Sequence, residues 1–166
     1  MPEKKTVERA QKDKQEGKSS STQAGEFVRE EIHHVREGKH GARSAKQAIA
    51  IGLSKARRAG VDLPPPKPAT TSEETRRKAA RDAEVGQHKA KPVSRKRSRA
   101  VTQALEREPH AAASTRALSK QARSAAQQRS PASRSAAARK AAQTKGAAAR
   151  SAAARKAART RAQAGR

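Results

Sequence analysis

Cysteine, tryptophan and tyrosine are absent from this 166-residue sequence, and Phe27 is its one aromatic residue. Without cysteine the chain can form neither a disulfide nor a thiolate zinc site, so zinc fingers of the usual kind are excluded. Without aromatic side chains beside its basic runs, the chain cannot stack on unpaired bases, which disfavours recognition of single strands. The sequence also lacks an apolar run of the roughly 20 residues that span a bilayer.

Large apolar side chains are scarce, whereas a third of all residues are charged and the net charge is +25. Such a chain has too little apolar surface to offset the entropy of ordering its backbone, roughly 1–2 kcal/mol per residue. We therefore expect a mostly α protein with extensive disorder. A small helical hairpin is its predicted ordered part, and transient helices are expected in a basic tail.

The hairpin is predicted where apolar side chains recur at the i, i+3, i+4 spacing of an amphipathic helix. Its helices are expected at about 22–37 and 44–59. Ser44 and Gln47 have the spacing of a capping box at the start of the second helix, and Gly38 is placed to end the first. The predicted core consists of Phe27, Val28, Ile32, Val35, Ile49 and Leu53.

The hairpin alone is predicted to be marginally stable. Burying its large apolar side chains would contribute roughly 10–20 kcal/mol. Ordering both helices and their loop, at about 1.5 kcal/mol per residue, would cost more. We therefore expect a homo-oligomer formed through the 22–60 hairpin, with Ile51 and Gly52 at the contact, or folding on a partner. A monomeric hairpin with a loose core is the alternative.

Charge divides the rest of the chain. Residues 111–166 carry 14 lysines and arginines and no acidic residue, whereas residues 1–41 carry 9 basic and 8 acidic side chains. A segment with one sign of charge attracts polyanions. The predicted order is a disordered charged arm at 1–20, the hairpin at 21–60, a proline-rich linker at 61–70, a basic and transiently helical segment at 71–110, and a low-complexity tail at 111–166. A short solvated helix over Thr6–Gln15 is the alternative to the disordered arm.

The tail contains a repeat with a period of 16, since residues 134–142 recur unchanged as residues 150–158. Alanine, lysine and arginine favour helix, but like charges repel one another. We therefore expect a disordered tail that becomes helical on a polyanion, with breaks near Pro131 and Gly146. The cations would lie all around such a helix, which suits neutralisation of a phosphate backbone better than readout of base edges.

A second basic cluster occupies residues 89–99. It resembles a nuclear-localisation signal but is equally well explained as a set of phosphate contacts. The residues predicted to bind nucleic acid are Arg134, Arg139, Lys140, Lys145, Arg150, Arg155 and Lys156 in the tail, and Arg95, Lys96, Arg97 and Arg99 in this cluster.

No pattern in the sequence predicts catalysis. Phosphate-loop and dinucleotide motifs are absent, and so sparse a fold could not bury and orient a nucleophile and its base. The histidines lack the i, i+4 pairing with an adjacent carboxylate that is typical of a metal site, so we expect them at the surface. They are His33, His34, His40, His88 and His110. We therefore expect no enzyme activity, no metal and no cofactor.

The run S-x-K-Q-A-I-A-I-G-L-S-K-A-R-R-A-G, from Ser44 to Gly60, resembles a family of small bacterial proteins defined by a domain of unknown function, number 6496. The resemblance covers about residues 21–66. It implies a bacterial cytoplasm and little chemistry, since the family has no assigned activity. The tail is similar in composition to histone H1-like tails, although no winged-helix domain accompanies it.

These patterns predict a non-enzymatic, sequence-nonspecific DNA-binding protein of the bacterial nucleoid that neutralises phosphates, with duplex DNA favoured over RNA. An RNA- or ribosome-associated protein and a protein-interaction module localised by its basic tail are the alternatives. We expect no small-molecule substrate, and no membrane partner because the tail lacks the large apolar face of an interfacial helix. The first residues lack the apolar region of a secretory signal, so we expect a cytoplasmic protein.

Overall fold

The computed structural model describes residues 2–68, 71–88 and 94–164, and all regular elements within these ranges are helices. The predicted α class is therefore confirmed. The helices are α1 Lys4–Gln15, α2 Ser20–Arg36, α3 Ala45–Arg58, α4 Glu73–Gln87, α5 Arg95–Glu106, a 3-10 helix at His110–Ala113, α6 Thr115–Gln127 and α7 Pro131–Ala164.

The chain divides into two compact units, residues 1–121 and residues 122–166. In the first unit, α2 and α3 form the predicted hairpin, α1 packs against α2, and α4 packs against α3. The 3-10 helix contacts both helices of the hairpin. Elements of the same chain therefore cover the hairpin. Self-association stays a prediction, although these elements already cover part of the apolar surface of the hairpin.

The predicted start and end signals of the hairpin operate largely as expected. Ser44 Oγ accepts a hydrogen bond from the backbone N–H of Gln47 at 3.2 Å. The Gln47 side chain reaches back one residue further than in a capping box and accepts from Arg43 N at 2.9 Å. Gly38 and Gly60 follow the two helices with φ angles of 74° and 87°, the left-handed region that glycine tolerates best.

Two apolar clusters form the core of the first unit. One joins Ile32 and Val35 to alanines of α3 and of the 3-10 helix, and Val28 packs against it. The other joins Phe27 to Ala10, Ala24, Ala56 and Val61, and Leu53 packs against it. Of the six predicted core residues, Ile49 is the exception, because it is half-buried and lies outside both clusters.

The disordered arm predicted at residues 1–20 is wrong for most of its length, because Lys4–Gln15 form α1. Thr6 and Ala10 are buried, and Val7 packs with Ala10 against the Phe27 cluster. The sequence gives the alternative of a helix over Thr6–Gln15 little support, since its buried face consists of small side chains that contribute little to average hydrophobicity.

The proline-rich segment after α3 is not a free spacer over its first residues. Val61 is buried and Leu63 packs against the Phe27 cluster. The buried Arg57 side chain donates to the carbonyl oxygens of Leu63 at 3.1 Å and Pro64 at 3.2 Å. These contacts dock the segment against α3. Burial lowers the pKa of Arg57, because it removes water from the guanidinium.

The predicted tail boundary at residue 111 also needs correction. Ala112 and Ala113 are buried in the Ile32 cluster, and Leu118 packs against it. Arg36 Nε donates to the carbonyl oxygen of Ala113 at 2.9 Å, which fixes the 3-10 helix against α2. The first residues of the predicted tail are therefore part of the folded unit, because small alanines fit closely against the hairpin.

In the second unit, the predicted breaks at Pro131 and Gly146 are confirmed. α7 begins at Pro131, where the missing N–H costs nothing in the first turn of a helix. Gly146 interrupts it with φ 65° and ψ 167°. The extensive disorder expected for the tail is not seen in its described residues, which form helix in agreement with the high propensity of alanine.

Candidate nucleic-acid interface

Many cations of the first unit are paired with acidic side chains. Arg58 Nε lies 2.7 Å from Asp82 Oδ1, and Lys18 Nζ lies 2.7 Å from Asp13 Oδ1. In α4, three successive cations pair with glutamates of the first turn. A paired cation must give up or share its carboxylate before it can bind a phosphate. The surface formed by these residues should therefore bind polyanions weakly.

The cations of α5 differ. Arg95, Lys96, Arg97 and Arg99 are exposed, and none of them forms an ion pair with another described residue. The reason is local, since the first two turns of α5 contain no acidic residue. Residues 89–93 of the predicted cluster lie outside the described residues.

The predicted tail cations lie on α7 and share the same property. No ion pair is found for the described side chains Arg134, Arg139, Lys140, Arg150, Arg155 and Lys156, all of which are exposed. The side chain of Lys145 lies outside the described part of the structure. Arg150 Nε donates to the carbonyl oxygen of Gly146 at 3.2 Å, which leaves the rest of its guanidinium free for an anion.

Geometry spreads these charges around α7. Successive residues of an α-helix are rotated by about 100°, so Arg134, Arg139 and Lys140 point in three different directions. Arg150, Arg155 and Lys156 repeat the same arrangement after the break at Gly146. Only part of such a set can face one duplex at a time. The arrangement provides charge without a single side that could be aligned with base edges.

The first unit contains a second cluster that the sequence analysis missed. The side chains of His34 and His40 are only 14% and 15% exposed, and they converge with the fully buried Glu31. The expectation of surface histidines is therefore wrong for these two, although His33, His88 and His110 are exposed as predicted. Glu31 and His34 are three residues apart on α2, a Glu-x-x-His spacing that puts both on one side of a helix.

Ion pairs surround this cluster. Lys55 Nζ lies 2.6 Å from Glu31 Oε2 and 3.6 Å from Glu30 Oε1. Glu3 Oε1 lies 2.9 Å from His34 Nε2 and 3.4 Å from Lys39 Nζ. The hydrogen bond with His34, and secondarily that with Lys39, lowers the pKa of Glu3. Glu3 therefore holds a negative charge beside His34.

Among the described residues, no helix combines the length and the apolar character required to cross a membrane.

Within its described residues the protein is all-helical. Many cations of α1 to α4 and the loops between them are paired with carboxylates, whereas the described cations of α5 and α7 are exposed and form no ion pair. Residues 3–67 match the sequence model of the family of unknown function DUF6496, which confirms the resemblance found in the hairpin sequence. The match begins at residue 3 and so includes α1 as well as the hairpin. Comparisons with curated proteins and with solved structures gave no match.

Proposed function

We propose that this protein is a non-enzymatic, sequence-nonspecific DNA-binding protein of the nucleoid whose cations neutralise backbone phosphates. One observation supports binding to a phosphate backbone. Many of the N-terminal cations are paired with carboxylates, whereas the described cations of α5 and α7 are exposed and form no ion pair. Unpaired cations can bind phosphate without first losing a partner.

The driving force of such binding is the release of counterions from DNA. If about half of the 14 cations in residues 111–166 contact phosphates, log K against log salt concentration has a slope of roughly −6. The affinity would then fall steeply between low and high salt. Because the cations lie all around α7, the protein would bind duplexes of different sequence with similar affinity.

The direct test compares the full-length chain with a chain that ends at residue 130, using one duplex DNA over a range of salt concentrations. This cut removes 10 of the 14 tail cations and leaves the buried Ala112 and Ala113 in place. We expect the shorter chain to bind more weakly and with a shallower salt dependence. Equal affinities and slopes would exclude α7 as the DNA-binding element.

Competition with a structured RNA tests the choice of polymer. Phosphate contacts alone distinguish the two polymers poorly, so the preference must be measured and not assumed. We expect duplex DNA to compete at least as well as structured RNA of equal length. A strong preference for RNA would favour the RNA-associated alternative in place of the nucleoid function.

A further inference from the structure

The ring of His40 is held in one orientation and one tautomer. Its Nδ1 lies 3.0 Å from the carbonyl oxygen of Gly41. A carbonyl oxygen can only accept a hydrogen bond, so Nδ1 carries the proton and the neutral ring has its lone pair on Nε2. That Nε2 lies 3.2 Å from Glu31 Oε1. Two electron-rich atoms at this distance repel each other unless a cation or a proton lies between them.

Glu31 is unusual in its own right. Its side chain is fully buried, and neither carboxylate oxygen has a hydrogen-bond partner among the described residues. Lys55 Nζ is 2.6 Å from Oε2 and supplies a positive charge there, although its direction does not satisfy hydrogen-bond geometry. Oε1, the other carboxylate oxygen, lies 3.2 Å from His40 Nε2. A buried carboxylate oxygen in this situation favours a further cation.

We propose that Glu31, His34 and His40 bind a divalent transition-metal ion, with zinc as the best match. One carboxylate oxygen and one ring nitrogen from each histidine lie within 4.8 Å of one another. Zinc binds imidazole and carboxylate at about 2.0–2.2 Å, which makes the edge of its coordination tetrahedron about 3.3–3.6 Å. The His40–Glu31 separation of 3.2 Å already matches that edge. The His34 nitrogen, which lies within 4.8 Å of the other two ligand atoms, would move to this distance when the metal binds.

The surrounding charges favour a cation. The ion pairs around the site connect four carboxylates, Glu3, Glu30, Glu31 and Glu37, with two ammonium groups, Lys39 and Lys55. Four negative and two positive charges leave a net charge of −2 when both histidines are neutral. A divalent ion would cancel it. Imidazole ligands select zinc and its neighbours over magnesium and calcium, which prefer oxygen ligands alone.

The loop that carries His40 is already fixed. Gly41 N donates to the carbonyl oxygen of Leu105 at 2.8 Å, and Ala42 N donates to that of Pro109 at 3.1 Å. Glu3 accepts from His34 Nε2, which leaves Nδ1 as the nitrogen with which His34 would bind the metal, in the manner of carboxylates that orient metal-ligating histidines. Metal binding would therefore tie an anchored loop to α2. Because the metal would bind the folded state, zinc should raise the unfolding temperature.

Zinc titration of the full-length protein, freed of nucleic acid and metal, tests the site. We expect one ion per chain by calorimetry and a higher unfolding temperature with zinc. His40→Asn and His34→Asn should each weaken binding by more than about tenfold, because losing even a group that only orients a metal ligand costs at least that much. The matched control is His33→Asn, which removes an exposed histidine beside His34 and should leave binding unchanged.

Three outcomes would overturn the proposal. They are the absence of zinc binding, equal effects of all three substitutions, and zinc binding that does not require His40. The absence of zinc binding would mean that a proton on His40 Nε2, and not a metal ion, lies between His40 and Glu31. If circular dichroism shows that the substituted chains do not fold, the zinc K-edge X-ray absorption spectrum of the unaltered, zinc-bound protein tests the ligands directly. Two imidazole ligands support the site, and a spectrum without them excludes it.

Discussion

A Cβ placed on Gly52 would lie 2.6 Å from the Cα of Val28, so α3 and α2 touch backbone to backbone at this point. From the sequence, this close approach is predicted as a contact with a second chain. The structure uses it inside the hairpin instead. Glycine is therefore required at position 52 by the packing of its own chain.

Gly52→Ala should destabilise the protein by about 1–3 kcal/mol, because the methyl group meets backbone that cannot rotate away. Gly25→Ala is the matched control, since Gly25 lies within α2 and a methyl group added to it would have no neighbouring atom within 4 Å. That substitution should stabilise the protein by about 0.5–1 kcal/mol through helix propensity alone. Urea unfolding measures both changes, and equal effects would contradict the close packing at Gly52.

Lys55→Met should destabilise the metal-free protein by about 2–4 kcal/mol, because it leaves Glu31 buried without its ammonium partner. Lys46→Met provides the control, since Lys46 is an exposed residue of the same helix. It should change the free energy of unfolding by no more than about 0.5 kcal/mol. If both substitutions had the same small effect, the Lys55–Glu31 pair would not contribute to stability.

The DNA-binding proposal can be tested with two variants that have the same net charge, because adjacent cations can be substituted as pairs in different parts of the chain. The double substitution of Arg155 and Lys156 by glutamine should reduce the magnitude of the salt slope by about 1–2, roughly 0.9 for each lost phosphate contact. The same change at Arg77 and Lys78 removes two cations that pair with Glu73 and Glu74, and should alter the slope less. Identical slopes for the two variants would show that net charge, and not unpaired cations, controls binding.

A chain ending at residue 110 should unfold at a lower temperature than one ending at residue 130. The shorter chain loses the buried Ala112 and Ala113 and the acceptor of the Arg36 hydrogen bond. Thermal unfolding followed by circular dichroism compares the two chains. Equal unfolding temperatures would show that the 3-10 helix adds nothing to the first unit.

Glu74 provides a prediction about pH. Its hydrogen bond with Lys78, whose Nζ lies 2.7 Å from Oε1, lowers the pKa of Glu74. The pair therefore stabilises α4 above the ordinary carboxyl pKa, and this contribution is lost as the pH falls through the lowered value. Lys78→Gln should raise the pKa measured by NMR titration, whereas Arg77→Gln should not, because Arg77 pairs with Glu73. An unchanged pKa in Lys78→Gln would exclude this cause.

The hairpin could be predicted from the sequence because its signals are local. The Ser44 cap, the glycines after each helix and the regular apolar spacing each act within a few residues. The docking of α1 and of the 3-10 helix could not be predicted, because alanine contacts such as Ala10 and Ala113 produce no hydrophobic pattern. Their burial depends on the shape of the assembled hairpin.

The histidine cluster shows the same limit. The Glu31–His34 spacing is visible in the sequence, but it is common and has no meaning without a third ligand. His40 reaches the site only because the loop after α2 turns back and is anchored to Leu105 and Pro109, more than sixty residues away in sequence. The exposure of the tail cations, in contrast, follows directly from the absence of acidic residues there.

The break at Gly146 has a mechanical consequence for the tail. An unbroken helix of 34 residues would be a straight rod of about 51 Å, and a straight rod touches a cylinder only over a short length. The two copies of the repeat lie on opposite sides of Gly146, so each has its own helical axis. Two short helices joined at Gly146 can therefore follow the curved surface of a polyanion, whereas a single straight helix would lose contact with it after about one turn.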